Sequence, residues 1–175
     1  MQKRIVLPAF LTVVLTISAF AQGGNRPSPA ASATCDLGGG KSVKTAYSSP
    51  RMKGRKIFGD LVPLGEVWRT GANEATTFVP SADVVVGGKA VPAGSYTIFT
   101  VPKADQWTLI VNKKTGEWGI PYKYESDELG RVDMAVSKLP APVENFTISY
   151  EKAAAGCTMH VDWETTRASV NISAK

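Results

Sequence analysis

Histidine is almost missing from this 175-residue chain, which has one, and cysteine is nearly as scarce, with two. Without a Cys-x-x-Cys or a His pair there is no nitrogen or sulfur shell for a zinc-type ion. A Ser-His-Asp or Cys-His centre needs a base beside its nucleophile, and a lone His160 leaves little room for that chemistry. No nicotinamide fingerprint and no phosphate-binding P-loop occurs, and Gly38, Gly39 and Gly40 read as a turn before a strand. Nothing in the residues points to a metal or a cofactor. Helical periodicity is lacking as well, which turns the fold away from the α and α/β classes.

Strong charge of one sign is also absent. The whole chain carries +5, but Lys3 and Arg4 sit in what reads as a leader. Without them, eighteen cations face fifteen anions, a net +3. That is too little for a protein that tracks a phosphate backbone, and nucleic acid drops out as a partner.

The leader follows the order a signal peptidase reads: Lys3 and Arg4, an apolar run over 5–19, then Ala19, Phe20 and Ala21 before Gln22. The run is broken by Pro8, Thr12, Thr16 and Ser18. It falls short of the roughly 18 to 20 apolar residues that cross a bilayer, so no membrane span is expected once it is removed. Residues 1–21 are therefore predicted to be a signal peptide, which places the rest in the periplasm or outside the cell. Residues 22–34, rich in Gly, Pro, Ser and Ala, read as a flexible tether. Residues 35–175 are then one domain of ordinary size.

Export also gives the two cysteines a meaning. In an oxidising compartment an even pair is expected to bond, here Cys35 to Cys157, pinning the first strand beside a late one. Closing a loop of that length stabilises by about 4 to 5 kcal/mol in the chain-entropy model.

What is present in quantity is a period of two. Val132, Met134 and Val136 alternate with Arg131, Asp133, Ala135 and Ser137, and Phe146, Ile148 and Tyr150 repeat the pattern. So do Met159, Val161 and Trp163, and then Ala168, Val170 and Ile172. Further strands are predicted at 43–47, 76–79, 84–86, 95–101 and 107–112, with hairpin turns at 87–88 and 112–116. The fold class is all-β, an antiparallel β-sandwich or jelly roll, with a closed barrel as the alternative. Alternation puts His160 opposite Met159 and Val161, facing away from the core and toward solvent.

Residues 47–77 break this rhythm. Pro50 lacks an N–H and ends the first strand. In an extended segment Arg51, Lys53 and Arg55 project to one side as a cationic row about 13 Å long. Such a row suits a carboxylate, sulfate or phosphate, and equally suits a solvated strand edge that resists aggregation. Soon after come Trp68, Arg69, Asn73 and Glu74 around Gly71. That mixture builds a small polar site on a rim, or a structural network in which Glu74 pairs with Arg69 or the row, Asn73 holds a turn and Trp68 is core. Trp118 lies in an irregular stretch with Tyr122 and Tyr124 close by, either an aromatic loop beside the cations or a cover for one end of the core. Asp60, Glu66 and Glu74 keep a two-carboxylate glycosidase open, although carboxylates beside Arg and Lys are usually ion-pair partners.

YSSPR at 47–51, KGRKIFG at 53–59, VWRTGANEAT at 67–76, VPAGSY at 91–96 with Phe99 and Thr100, Trp107, and Trp118 with Gly119 together resemble the bacterial domain-of-unknown-function family 2911. The resemblance covers about 42–172. It implies an exported single domain and carries over no activity, substrate or catalytic residue. The expected function is a noncatalytic binding module for a small acidic ligand or a glycan, using Arg51, Lys53, Arg55, Trp68, Arg69, Asn73, Glu74 and Trp118. A structural or protein-interaction module of the cell envelope is the alternative, and a carboxylate-based carbohydrate hydrolase stands third.

Overall fold

The computed structural model describes residues 26–175, so the predicted signal peptide lies outside the described residues. Nine strands follow in chain order: β1 (Ala30–Gly38), β2 (Lys41–Ser48), β3 (Thr76–Pro80), β4 (Val84–Val86), β5 (Lys89–Val91), β6 (Tyr96–Val101), β7 (Gln106–Asn112), β8 (Glu128–Ala153) and β9 (Gly156–Ala174). The only helical element among the described residues is one 3-10 turn, Glu125–Asp127. All named pairings are antiparallel, in the order β1-β2-β3-β6-β7-β8-β9-β4-β5. The sheet is open, with β1 and β5 at its ends, which favours the sandwich reading over the closed barrel.

Each strand predicted from alternation is found, and two more appear. β5 is short, and β1 begins at Ala30, inside the stretch read as a tether over 22–34. That reading is corrected here: Ala31 pairs with Tyr47, Ala33 with Thr45 and Cys35 with Val43. Alanine and serine carry little β signal, so the strand is legible only from its partner.

β8 and β9 are too long to be straight. At about 3.3 Å per residue, the 26 residues of β8 span roughly 85 Å, about twice the breadth of a domain this size. β8 bends where its pairing to β9 is interrupted between Lys138 and Thr147, a stretch that contains Pro140 and Pro142. β9 doubles back at Glu164, whose φ of 54° is left-handed. Thr158 then meets Asn171, His160 meets Ser169, and Asp162 meets Arg167, three pairs centred on the same reversal.

These bends fold the sheet over one core. Phe78, Ile98, Leu109, Met134, Phe146, Met159 and Ile172 are fully buried in it, contributed by β3, β6, β7, β8 and β9. Trp68, Trp107, Trp163, Phe146 and Phe58 form an aromatic centre in which Trp68 and Trp163 stack 6.0 Å apart. Cys35 on β1 is bonded to Cys157 on β9, as expected, tying one end of the sheet across to its far half. A smaller cluster of Ala75, Phe99, Val101 and Ile110 lies apart from this core, covered by Val67, Tyr122 and Tyr124.

His160 departs from its expected place. It is outside the core cluster, as alternation requires, yet only 8% exposed. Nδ1 lies 2.8 Å from Ser169 Oγ and Nε2 lies 3.2 Å from Glu151 Oε2. Alternation fixes the face a side chain takes but not what its strand neighbours put over it. The doubling of β9 supplies Ser169, and β8 supplies Glu151.

Candidate functional site

The irregular segment between β2 and β3 carries the candidate residues, and its path is set by backbone bonds to the bend of β8. Ser49 donates its hydroxyl to Phe146 O at 2.7 Å, Phe146 N–H donates to Pro50 O at 2.9 Å, and Met52 N–H donates to Glu144 O at 2.8 Å. The chain then turns sharply. Lys53 and Gly54 both have positive φ, 49° and 68°, and Arg55 N–H reaches back to Met52 O at 3.0 Å, the pattern of a type I′ turn.

This overturns the expected extended row. Arg51, Lys53 and Arg55 are not aligned by strand pleating, because the turn intervenes. They nevertheless face one groove, since the turn curls Arg55 back over the chain: its Nε donates to Met52 O at 3.0 Å and one of its terminal nitrogens to Arg51 O at 2.7 Å. Arg51 is held in turn by Ser49, through the hydroxyl at 2.8 Å and the carbonyl at 3.3 Å.

Trp68 enters from the other side. Its backbone exchanges hydrogen bonds with Thr100 on β6, at 2.8 and 2.9 Å, which places the ring in the aromatic core, while Nε1–H donates to Gly71 O at 3.1 Å. The following loop is conformationally costly: Thr70 and Asn73 have φ of 55° and 57°, unusual for residues with a side chain, above all a β-branched one. Thr70 is held there by Thr100 Oγ1 at 3.1 Å and by Thr76, whose hydroxyl donates to Thr70 O at 2.6 Å. Gly71 cannot be replaced without conflict, because a Cβ would come within 2.9 Å of Ser48 O. Among the described residues, three of the four non-glycine residues with positive φ, Lys53, Thr70 and Asn73, lie in these two loops. Such concentration is characteristic of functional segments.

Arg69 points out of this loop toward the groove. One terminal nitrogen donates to Asn73 O at 2.7 Å and to Trp118 O at 3.2 Å, and the guanidinium carbon stands 5.0 Å from the centre of the Trp118 ring. The contact depends on Gly119, where a Cβ would lie 2.9 Å from Ala75 Cβ and 3.2 Å from Arg69 Cβ. Partial burial lowers the Arg69 pKa from its ordinary value, and the Glu74 charge opposes that shift; an arginine in this position remains a cation. The two expectations for the 117–124 stretch each hold for part of it. Tyr122 and Tyr124 cover the smaller apolar cluster, while Trp118 stays 56% exposed beside the cations.

The resulting groove has a volume of about 530 Å³, within the usual range for small-molecule sites. Arg51, Lys53, Arg55 and Arg69 are the charged residues of its wall, no carboxylate lines it, and Trp68, Trp163 and Val62 supply an apolar floor. Among the described residues none of these four cations forms an ion pair.

Asn73 and Glu74 do other work. Asn73 donates Nδ2 to Ser28 O at 3.2 Å and presents its own carbonyl to Arg69, so it fastens the loop. Glu74 is exposed and takes its two side-chain bonds from Arg26, at 2.8 and 2.9 Å, rather than from Arg69 or the row. Its own backbone N–H first, then Arg26, hold its carboxyl below the ordinary range. Neither residue lines the groove. Of the three carboxylates considered for hydrolysis, Glu66 lines an adjoining depression with Glu125, and Asp60 and Glu74 line neither of these two hollows. No group of three His, Cys, Asp or Glu side chains suited to a metal ion occurs among the described residues.

Several residues of the groove were not anticipated. Val62 and Trp163 carry ordinary core signals, Leu61 and Ile120 read as loop residues, and Pro27 and Ser28 lie in the supposed tether. Only Ile120, next to the aromatic loop, had a local signal.

A family model described as Protein of unknown function (DUF2911) matches residues 28–172. The match begins at Ser28, earlier than the expected 42, and so takes in β1. No curated protein and no solved structure matches the chain.

Proposed function

The chain belongs to the DUF2911 family, and for it we propose a binding module that holds a small ligand by an anionic group in the Arg51, Lys53, Arg55 and Arg69 groove. One observation carries this reading: four cations meet in one concavity with no carboxylate on its wall. Like charges gathered without counter-ions repel one another, and that cost is offset when a ligand supplies the negative charge. Guanidinium groups bind carboxylate or phosphate in pairs of parallel bonds. Trp68 and Trp163, almost wholly buried in the core, give the groove a rigid apolar base rather than an open stacking face, which suits the apolar body of a ligand.

The predicted leader and the Cys35–Cys157 disulfide support export to the periplasm or the cell exterior, where such a bond persists. Among the described residues no helix is long and apolar enough to cross a membrane.

A second reading rests on exposed apolar residues, of which Leu61 and Ile120 line the groove. Leu61, Leu64, Trp118 and Ile120 are 40% exposed or more, the kind of apolar surface that docks an envelope protein.

A thermal-shift series on the oxidised chain tests the first reading, with a uronic-acid oligosaccharide, its neutral methyl ester, citrate and inorganic phosphate. A ligand at a hundred times its Kd adds about 2.7 kcal/mol, a rise of about 5 to 10 °C at this size. Stabilisation by an acidic probe and not by the neutral ester is expected. Equal or absent shifts with all four would turn attention to the exposed apolar residues.

A further inference from the structure

The cationic groove does not end at its own wall. A second depression of about 450 Å³ adjoins it, and the two share Leu61, Val62, Trp68 and Ile120. The signs of charge are fully separated between them. The first holds Arg51, Lys53, Arg55 and Arg69 and no acid. The second holds Glu66 and Glu125 and no base, with Pro63, Val67, Pro121 and Tyr122 completing an apolar lining.

Neither set neutralises the other. Among the described residues the ion pairs join Arg26 to Glu74, Arg131 to Glu128, Arg167 to Asp162 and His160 to Glu151. Glu66 and Glu125 are therefore as unpaired as the cations. Leu61 and Ile120, 44% and 40% exposed, stand on the shared stretch as an apolar ridge open to a ligand.

We infer that the two depressions form one continuous site for an elongated dipolar ligand, anionic at one end, apolar along its middle and cationic at the other. A short apolar peptide with both ends free is the simplest molecule of that class. Its carboxylate meets the guanidinium groups, its side chains lie on Leu61 and Ile120, and its ammonium meets Glu66 and Glu125. The inference rests on the anion-binding reading above and assigns the far half of the ligand. Opposite potentials at the two ends fix orientation and exclude ligands of the reversed sign, which is the main contribution of charge complementarity to recognition.

The test is calorimetric titration of the oxidised chain with alanyl-leucyl-alanine in three forms: free at both ends, N-acetylated, and C-amidated. The free peptide is expected to bind best, the amide at least tenfold more weakly, and the acetylated form about five- to tenfold more weakly. In an E66Q, E125Q variant, with both substitutions at exposed positions and its fold checked by circular dichroism, free and acetylated forms are expected to bind alike while the amide stays weak. Equal binding of free and acetylated peptide to the parent, or no binding of the free peptide, overturns the inference. If the acidic probes of the thermal-shift series still stabilise the parent, that failure is confined to the ligand's far half. If they do not, the anion-binding reading fails with it.

Discussion

The six arginines among the described residues fall into two groups. Arg26, Arg131 and Arg167 each bond to a carboxylate, the last two as two-pronged pairs at 2.6 to 2.8 Å. Arg51, Arg55 and Arg69 bond only to backbone carbonyls and one hydroxyl. The difference is chemical. A carboxylate orients a guanidinium and cancels its charge, whereas a carbonyl orients it and leaves the charge, with several of its five N–H donors free. The first group is engaged in ion pairs within the fold, and the second gathers positive charge in one groove.

The two groups should respond differently to mutation. The largest effect on folding is expected on the paired side. Asp162 is 6% exposed and holds both prongs of Arg167, and Asp162→Ala should destabilise by about 2 to 3 kcal/mol in urea unfolding. That is less than the roughly 3 to 5 kcal/mol for breaking a fully buried pair, because the Arg167 side chain is 33% exposed. On the groove side the balance is reversed. Arg51→Gln and Arg55→Gln should each change stability by no more than about 0.5 kcal/mol and Arg69→Gln, which also loses the Trp118 contact, by about 1 kcal/mol, and each should weaken an acidic ligand about tenfold, or about 1.4 kcal/mol. A groove arginine whose loss unfolds the domain would erase the distinction.

Trp118→Ala sharpens the contrast further. It removes the ring stacked on Arg69, a contact of about 0.5 to 1 kcal/mol when exposed, and should weaken an acidic ligand a few-fold while lowering the Tm by no more than about 4 °C. The smallest effect belongs to the exposed Arg26–Glu74 pair. Because the Glu74 carboxyl is held below its ordinary range, the stability it contributes is present above the ordinary carboxylate pKa and is lost as pH falls through the lowered value. Thermal melts of the parent and Glu74→Gln should differ by a fraction of a kcal/mol at neutral pH and converge on acidification.

The regular part of the molecule was legible in the sequence because alternation is a local signal. Val132, Met134 and Val136 announce their strand without reference to anything else. β1 was not legible because Ala30, Ala31, Ser32 and Ala33 are strand only by pairing with β2. His160 shows the same limit: its face was readable, its cover was not, since that depends on β9 doubling back at Glu164. In the site, the cations at 51, 53, 55 and 69 share one groove, but not through the expected geometry. A pleated row was expected, and a turn at Lys53 and Gly54 brings the charges together instead. Glu74 was drawn toward its sequence neighbours, yet its partner is Arg26, 48 residues away. Long-range ion pairs of this kind leave no local trace.

The distinction between the two groups of arginines is tested most directly by one melting experiment on the oxidised chain and its R51Q, R55Q, R69Q variant, each with and without a saturating acidic ligand from the thermal-shift series. The variant should fold, melt within a few degrees of the parent in the absence of ligand, and lose the rise of about 5 to 10 °C that the ligand gives the parent. A variant that melts far below the parent, together with a parent that no acidic probe stabilises, would show that these arginines hold the fold together and that the groove binds no anion.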